Sequence, residues 1–496
     1  MVTSWHLLST AFALALLVAA GASQAVGVSV WPAPAGEKLS SLYSVRVNGK
    51  AVPVQFCRVS AVPINQVWPG YQRPIDQSEE AAFATWGMDG PVTVEVTSAR
   101  PFSAAVVRPL SRRVRVTRKG AKLTFTMAKP GQVTVELDGR HHALHLFANP
   151  PEAAAPKPNT PNVRYFGPGV HRPGRIDMKS GETLYVAGGA VVHGSVQVNG
   201  VTGVRILGRG VIDLSEYERD KGGGCIRLSN SSDVKIEGVI LRDPDVWCLS
   251  AFGCSRMEIA NVKLVGLWRY NADGIDLCNS QDVVVRDSFV RAYDDAIVLK
   301  GLNWGPTGFS DRPVRGIRVS NCVIWCDWGR GLEIGAETSA PEFTDIVFSD
   351  CDIIRTTHIA MDIQCGDRAR VHNVRYEGIR LETDDICPSP KMQATRDEKY
   401  VENPNDAYVP FLLVIVIAQN PYSQDKERGV VTGITYKNLS VVGKRIPKSW
   451  FQGLNPQHGV SGIALSGVTL NGKPATTAEA MGLSLGAHVS EVTVAP

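Results

Sequence analysis

The feature that most constrains this 496-residue chain is a short apolar template, V-x-I-x-x-V, that returns at near-constant intervals. With any bulky apolar residue or Cys accepted at its three positions, it fits Val234/Ile236/Val239, Met257/Ile259/Val262 and, with Ser288 in third place, Val283/Val285. It continues at Ile317/Val319/Cys322, Ile346/Phe348/Cys351, Val374/Tyr376/Ile379, Ile434/Tyr436/Leu439 and Ile463/Leu465/Val468. Successive starts lie 23, 26, 34, 29, 28, 60 and 29 residues apart. Strand periodicity at this repeat length, with no helical period, means stacked coils that each bury an inner face on the next. A propeller blade needs about 40–45 residues and is excluded. The repeat therefore predicts an all-β chain, a right-handed parallel β-helix over residues 162–496. The 60-residue interval predicts a copy hidden by an insertion at 382–428. Asn230, Asn279 and Asn321 recur at bends, where left-handed backbone is needed.

The front of the chain has another pattern. Between residues 26 and 148, short alternating runs such as Tyr43-Ser44-Val45-Arg46-Val47 are separated by turn pairs such as Asn48-Gly49 and Asp138-Gly139. Strands this short and evenly spaced predict a small antiparallel β-sandwich. Residues 149–161 hold five prolines and three consecutive alanines, a semi-rigid linker. Residues 1–25 lack charged side chains and end an apolar run with Ser23-Gln24-Ala25, which predicts a cleaved signal peptide and a secreted or periplasmic protein. No other run is long and apolar enough to cross a bilayer. Formal net charge is only +4 and no dense Lys/Arg stripe stands out, so neither a nucleic-acid nor a membrane partner is indicated. A monomer is expected. The ten cysteines include pairs one coil apart (225/248, 254/278, 326/351) that read as stacked buried thiols. No C-x-x-C pair occurs, and neither metal nor cofactor is expected.

Chemistry concentrates between Asn271 and Lys300. Asp273 precedes the pair Asp294-Asp295 by 21 and 22 residues, which brings the three carboxylates together on neighbouring coils. Adjacent carboxylates push one another's pKa apart, so one holds a proton while another stays ionised. That is the requirement of glycosidic hydrolysis, an acid for the leaving oxygen and a base for the attacking water.

Asn271-Ala272-Asp273 followed one coil later by Asp294-Asp295 resembles the catalytic region of the polygalacturonases, glycoside hydrolase family 28, over residues 163–366. The resemblance implies a pectin-lyase-like solenoid, with Asp294 as general acid and Asp273 and Asp295 positioning and activating the water. It implies single displacement with inversion on a polysaccharide or oligosaccharide. Two motifs depart from the family. Its G-H-G is Gly329-Arg330-Gly331, and its R-I-K is Asp362-Ile363-Gln364. The Arg and Lys that clamp galacturonate in that family are missing, and Asp362 repels a sugar acid. Ordinary homogalacturonan is therefore an unexpected substrate. The sandwich and Pro-rich linker loosely resemble the front of family 49, the dextranases, and a cap on the first coil is the simplest role for them. Substrate contacts are expected from Asn271, Arg330, Glu333, Asp362, Gln364 and His358, and from Asp245, one coil before Asp273. Trp268, Tyr270 and Trp304 offer rings for sugar stacking, whereas Asp276 should point away from the site. Alternatives on the same fold are a polysaccharide lyase using Arg330, and a glycan-binding solenoid without turnover.

Overall fold

The computed structural model describes residues 1, 27–65, 67–152, 155–303, 311–384 and 387–496. The expected signal peptide beyond Met1, and Trp304, lie outside the described residues. No helix among the described residues is long and apolar enough to cross a membrane. The chain is a parallel β-helix with a sandwich beside it. The first template position forms one unbroken ladder, Val234, Met257, Val283, Ile317, Ile346, Val374, Ile434 and Ile463, each paired in register with the next. This ladder belongs to a 12-stranded parallel wall, and a 21-stranded sheet forms the remaining walls. Asn230, Asn279 and Asn321 sit at the bends with φ of 47°, 46° and 52°. Inside the later coils Phe348, Tyr376, Tyr436 and Phe451 stack with ring centroids 4.7, 5.1 and 6.4 Å apart.

Several expectations need correction. Val374 pairs directly with Ile434, so no copy hides in the 60-residue interval. That coil is instead widened at its corners by residues 387–410 and 418–429, while Phe411–Ile417 between them is an ordinary wall strand. Extra residues at a corner leave the wall's pairing untouched, which periodicity alone does not reveal. The thiols are free and all but Cys387 fully buried, but only Cys225 and Cys248 stack as expected. Cys322 rather than Cys326 neighbours Cys351, and Cys278 pairs with Phe252 rather than Cys254.

The front region forms a five-stranded and a six-stranded sheet. It is not wholly antiparallel, because Leu144–Asn149 runs parallel to Ser78–Met88. Nor does it cap the first coil. Val59, Phe83 and Phe147 pack on Val191, Val211, Ile240, Val265, Phe289, Val323 and Ile354, side chains of successive coils. The sandwich thus lies along the flank of the solenoid. The residues after Asn149 follow the same seam, where Glu152 accepts from the Tyr185 hydroxyl.

Ion pairs lock this seam. Glu136, with a side chain 2 % exposed, accepts from Arg108 of the sandwich and from Arg355 of the solenoid at 2.7–2.9 Å. Removing one member strands the others in a dry interface. Glu136→Ala is expected to lower stability by about 3–5 kcal/mol, read as a fall in the midpoint of chemical unfolding.

Candidate active site

The reacting groups sit where coils turn. Cys248 N donates to the Asp273 carbonyl, Gly274 N to that of Asp295, and Ala296 N to that of Arg330. Asp273, Asp295 and Arg330 therefore stack on three successive coils. Gly329 is required beside them, because a β-carbon there would come within 2.7 Å of Asp294 Oδ1 and 2.8 Å of Asp295 N. Adjoining the turn, Asp276, Glu333 and Asp362 project from one outward ladder of wall strands.

Two cations hold this cluster together. Lys300 Nζ lies 3.4 Å from Asp295, 3.4 Å from Glu337 and 3.8 Å from Asp273. Arg330 lies 3.5 Å from Asp295, 3.5 Å from Asp362 and 3.9 Å from Glu333. With Asp276 and Asp294, the cluster sets seven carboxyl groups against two cations. Charges this close and this dry cannot all be present at once. Burial, and then the charge of Asp295, push Asp294 up to about 7. Burial also works to raise Asp295, but Lys300 and Arg330 outweigh it and hold Asp295 below the usual carboxylate value. Burial and the neighbouring Asp276 push Asp273 well upward. At neutral pH the pair thus offers one proton donor and one ionised base, set apart by surroundings rather than by residue type. Asp362 is pushed up to about 6, chiefly by burial, and burial together with Asp295 raises Glu333 well above its ordinary value.

The structure brings together Asp273, Asp294, Asp295, Arg330, Glu333 and Asp362, with Gln364 donating to Asp362 at 2.8 Å. His358 borders the group beside Trp328, with ring centroids 6.2 Å apart. Burial, and then Arg330, lower it to about 4, leaving it neutral. Tyr270 reaches the cleft, where its phenol feels the charge of Asp294. Asn271 turns aside, its side chain accepting from Arg219 at 3.0 Å. Two expected contacts are not there. Asp245 is fully buried and accepts from the backbone N–H groups of Gly222, Gly223 and Gly224 at 2.7–3.0 Å, tying a loop rather than a sugar. Trp268 is buried, donates to Asp243 at 2.9 Å and lies under Arg58 of the sandwich, so its face is closed to ligand.

Other groups were not foreseen. Lys300 is the one charged residue of the strand Ile297–Gly301. Asp276 does not point away. Alternation holds only within its strand, Ile275–Cys278, and Asp273 belongs to the preceding turn. From the sandwich, Tyr71 stacks on Tyr270 at 4.8 Å, with Arg219 4.9–5.4 Å from both rings. Tyr422, exposed on residues 418–429, lies near enough for burial and the charge of Asp294 to raise its phenol. Several buried acceptors lack protein donors, among them Asp273 Oδ1, Asp362 Oδ1 and both oxygens of Glu333.

The model of glycosyl hydrolases family 28 matches residues 173–388. Rhamnogalacturonase A of Emericella nidulans is 26 % identical over 156 residues, 32 % of this chain and 28 % of its own length. Rhamnogalacturonase A of Aspergillus aculeatus is 26 % identical over 156 residues, 32 % of each chain. The match thus spans about a third of these curated relatives. Among solved structures, Dex49A from Penicillium minioluteum superposes with a TM-score of 0.65 over 94 % of this chain and 96 % of its own, at 14 % identity. That likeness extends the shared fold through the sandwich. The stacked Asp273, Asp294 and Asp295 lie inside the matched segment, and this chain is a divergent, family-28-like parallel β-helix protein.

Proposed function

We propose that this chain is an exported glycoside hydrolase that cuts a pectin-like polysaccharide by single displacement, at a bond where the sugar seated in the cleft is neutral. The observation that carries the reading is that Lys300 and Arg330, the two cations of the cleft, are each already shared among carboxyl groups of the chain. Arg330 already lies 3.5–3.9 Å from Asp295, Asp362 and Glu333, which compete with any galacturonate for its guanidinium. A sugar acid placed there must compete with the ionised Asp295 for those cations, whereas a neutral sugar brings no charge to compensate. The relatives named rhamnogalacturonase support a substrate of this kind, a pectic chain that includes a neutral sugar.

In this reading Asp294, protonated near neutral pH, gives its proton to the glycosidic oxygen. Asp295, ionised by Lys300 and Arg330, takes a proton from water as that water attacks the anomeric carbon from the opposite face. Asp273 shares Lys300 with Asp295 and orients the water. Tyr270 and Tyr71 form a stacked rim for a neighbouring sugar ring. A lyase would need a base beside the sugar, but Arg330 is driven well above its ordinary value as Glu333, Asp295 and Asp362 outweigh burial. It cannot accept that proton.

The test compares release of reducing ends from rhamnogalacturonan and from polygalacturonate. Release from the first and not the second is expected. Robust release from polygalacturonate that disappears in Asp294→Asn would overturn the assignment of a neutral sugar.

A further inference from the structure

Away from the cleft, the sandwich carries a groove of about 430 Å³ lined by residues 112–115 and 126–133. Arg112, Arg113, Arg115 and Lys129 line it, and no carboxylate does. Among the described residues none of these four cations makes an ion pair, and the Nε of Arg112 is buried without an acceptor. Neighbouring cations are compensated: Lys122 pairs with Glu95, and Arg118 donates to the carbonyls of Phe102 and Ser103. The segment is exceptional in the chain as well. Residues 101–140 hold nine Lys and Arg against two Asp and Glu, while the whole chain balances 52 against 48. Read along the sequence this was no dense stripe. The turn at Arg113, with φ of 50°, and the adjoining strand fold it into one concavity.

We infer that this groove is a second glycan site, one that binds the carboxylates of a polyuronate chain. Convergent guanidinium groups without partners favour a polyanion that offers several acceptors in a row. The inference rests on the pectic substrate proposed above and adds a division of labour. The acidic stretches of the polymer are held on the sandwich, and the neutral sugar is cut in the carboxylate-rich cleft. Gly131 and Gln132 line the groove, and Gln132 donates to the Asp287 carbonyl of the solenoid at 2.7 Å. The groove therefore borders the seam between the two parts.

The test uses the full chain with Asp294→Asn, so that bound polymer is not consumed, in affinity electrophoresis through polygalacturonate, through dextran and against duplex DNA. Retardation by polygalacturonate that weakens with salt is expected, with none by dextran. Arg112→Gln, Arg113→Gln, Arg115→Gln and Lys129→Gln together should weaken it at least about tenfold, as loss of one charge-assisted hydrogen bond would. The same four changes in the active chain should leave cleavage of short oligosaccharides unchanged, since none of these side chains is in the cleft. Unchanged retardation of the fourfold variant overturns the inference, as does DNA binding tighter than polygalacturonate binding. If no glycan is cut but retardation still depends on the four cations, the proposed activity fails and the groove stands.

Discussion

Replacing Asp294 by Asn is expected to lower kcat/KM by about 10²–10⁴-fold, the usual worth of a positioned general acid. The amide keeps the side chain's shape beside Gly329 but has no acidic proton to give. Asp294 is held up to about 7, so its proton is present below that pH and lost above it. The wild-type profile should fall on its alkaline side near pH 7. The acid side depends on Asp295, whose value is depressed, and it should lie below the ordinary carboxylate range. An activated aryl glycoside, whose leaving group needs little protonation, should recover most of the activity of Asp294→Asn. A variant that was merely misfolded would gain nothing from such a substrate, so equal losses on both substrates would remove Asp294 from the acid's role.

The second large effect is expected at Lys300. Its ammonium is shared by Asp273, Asp295 and Glu337 in a side chain only 6 % exposed. Lys300→Met leaves those carboxylates without their cation, at a cost of about 3–5 kcal/mol in stability. The more telling result is in the pH profile. Lys300 is the first of the cations that hold Asp295 down. Without it Asp295 rises toward Asp294, the two limbs close on one another, and the maximum of kcat falls. The shift of the acid limb separates this account from simple loss of fold, because a fraction of unfolded protein lowers activity at every pH alike. A profile of unchanged shape would show that Lys300 does not set the charge of Asp295.

The template at Val234, Met257, Val283 and onward made the solenoid legible, because a stacked wall repeats the same burial at every coil. The carboxylates were legible for the same reason, since a spacing of one coil becomes adjacency once coils stack. What escaped were partnerships that depend on corners and seams. Asp245 looked equivalent to Asp273 in spacing, yet a glycine-rich loop folds onto it and takes both its oxygens. Trp268 lies near the acid pair in sequence, but the sandwich covers it. Tyr71 is about 200 residues from Tyr270 and meets it only because the sandwich lies along the flank of the solenoid. Asp276 faces the site because the alternation of its strand does not carry back through the turn that holds Asp273. Lys300 had a readable signal, a lone charge closing an apolar strand, with no partner nearby in sequence to suggest its role.

The central claim is that Asp294 and Asp295 act in one step, as proton donor and as base toward water. It is tested most directly by following the anomeric protons of the product by NMR from the first turnovers on a defined oligosaccharide. The account requires the new reducing end to appear first in the configuration opposite to that of the bond cut, and then to mutarotate. Product that first appears with retained configuration, or that carries an unsaturated sugar, would contradict it.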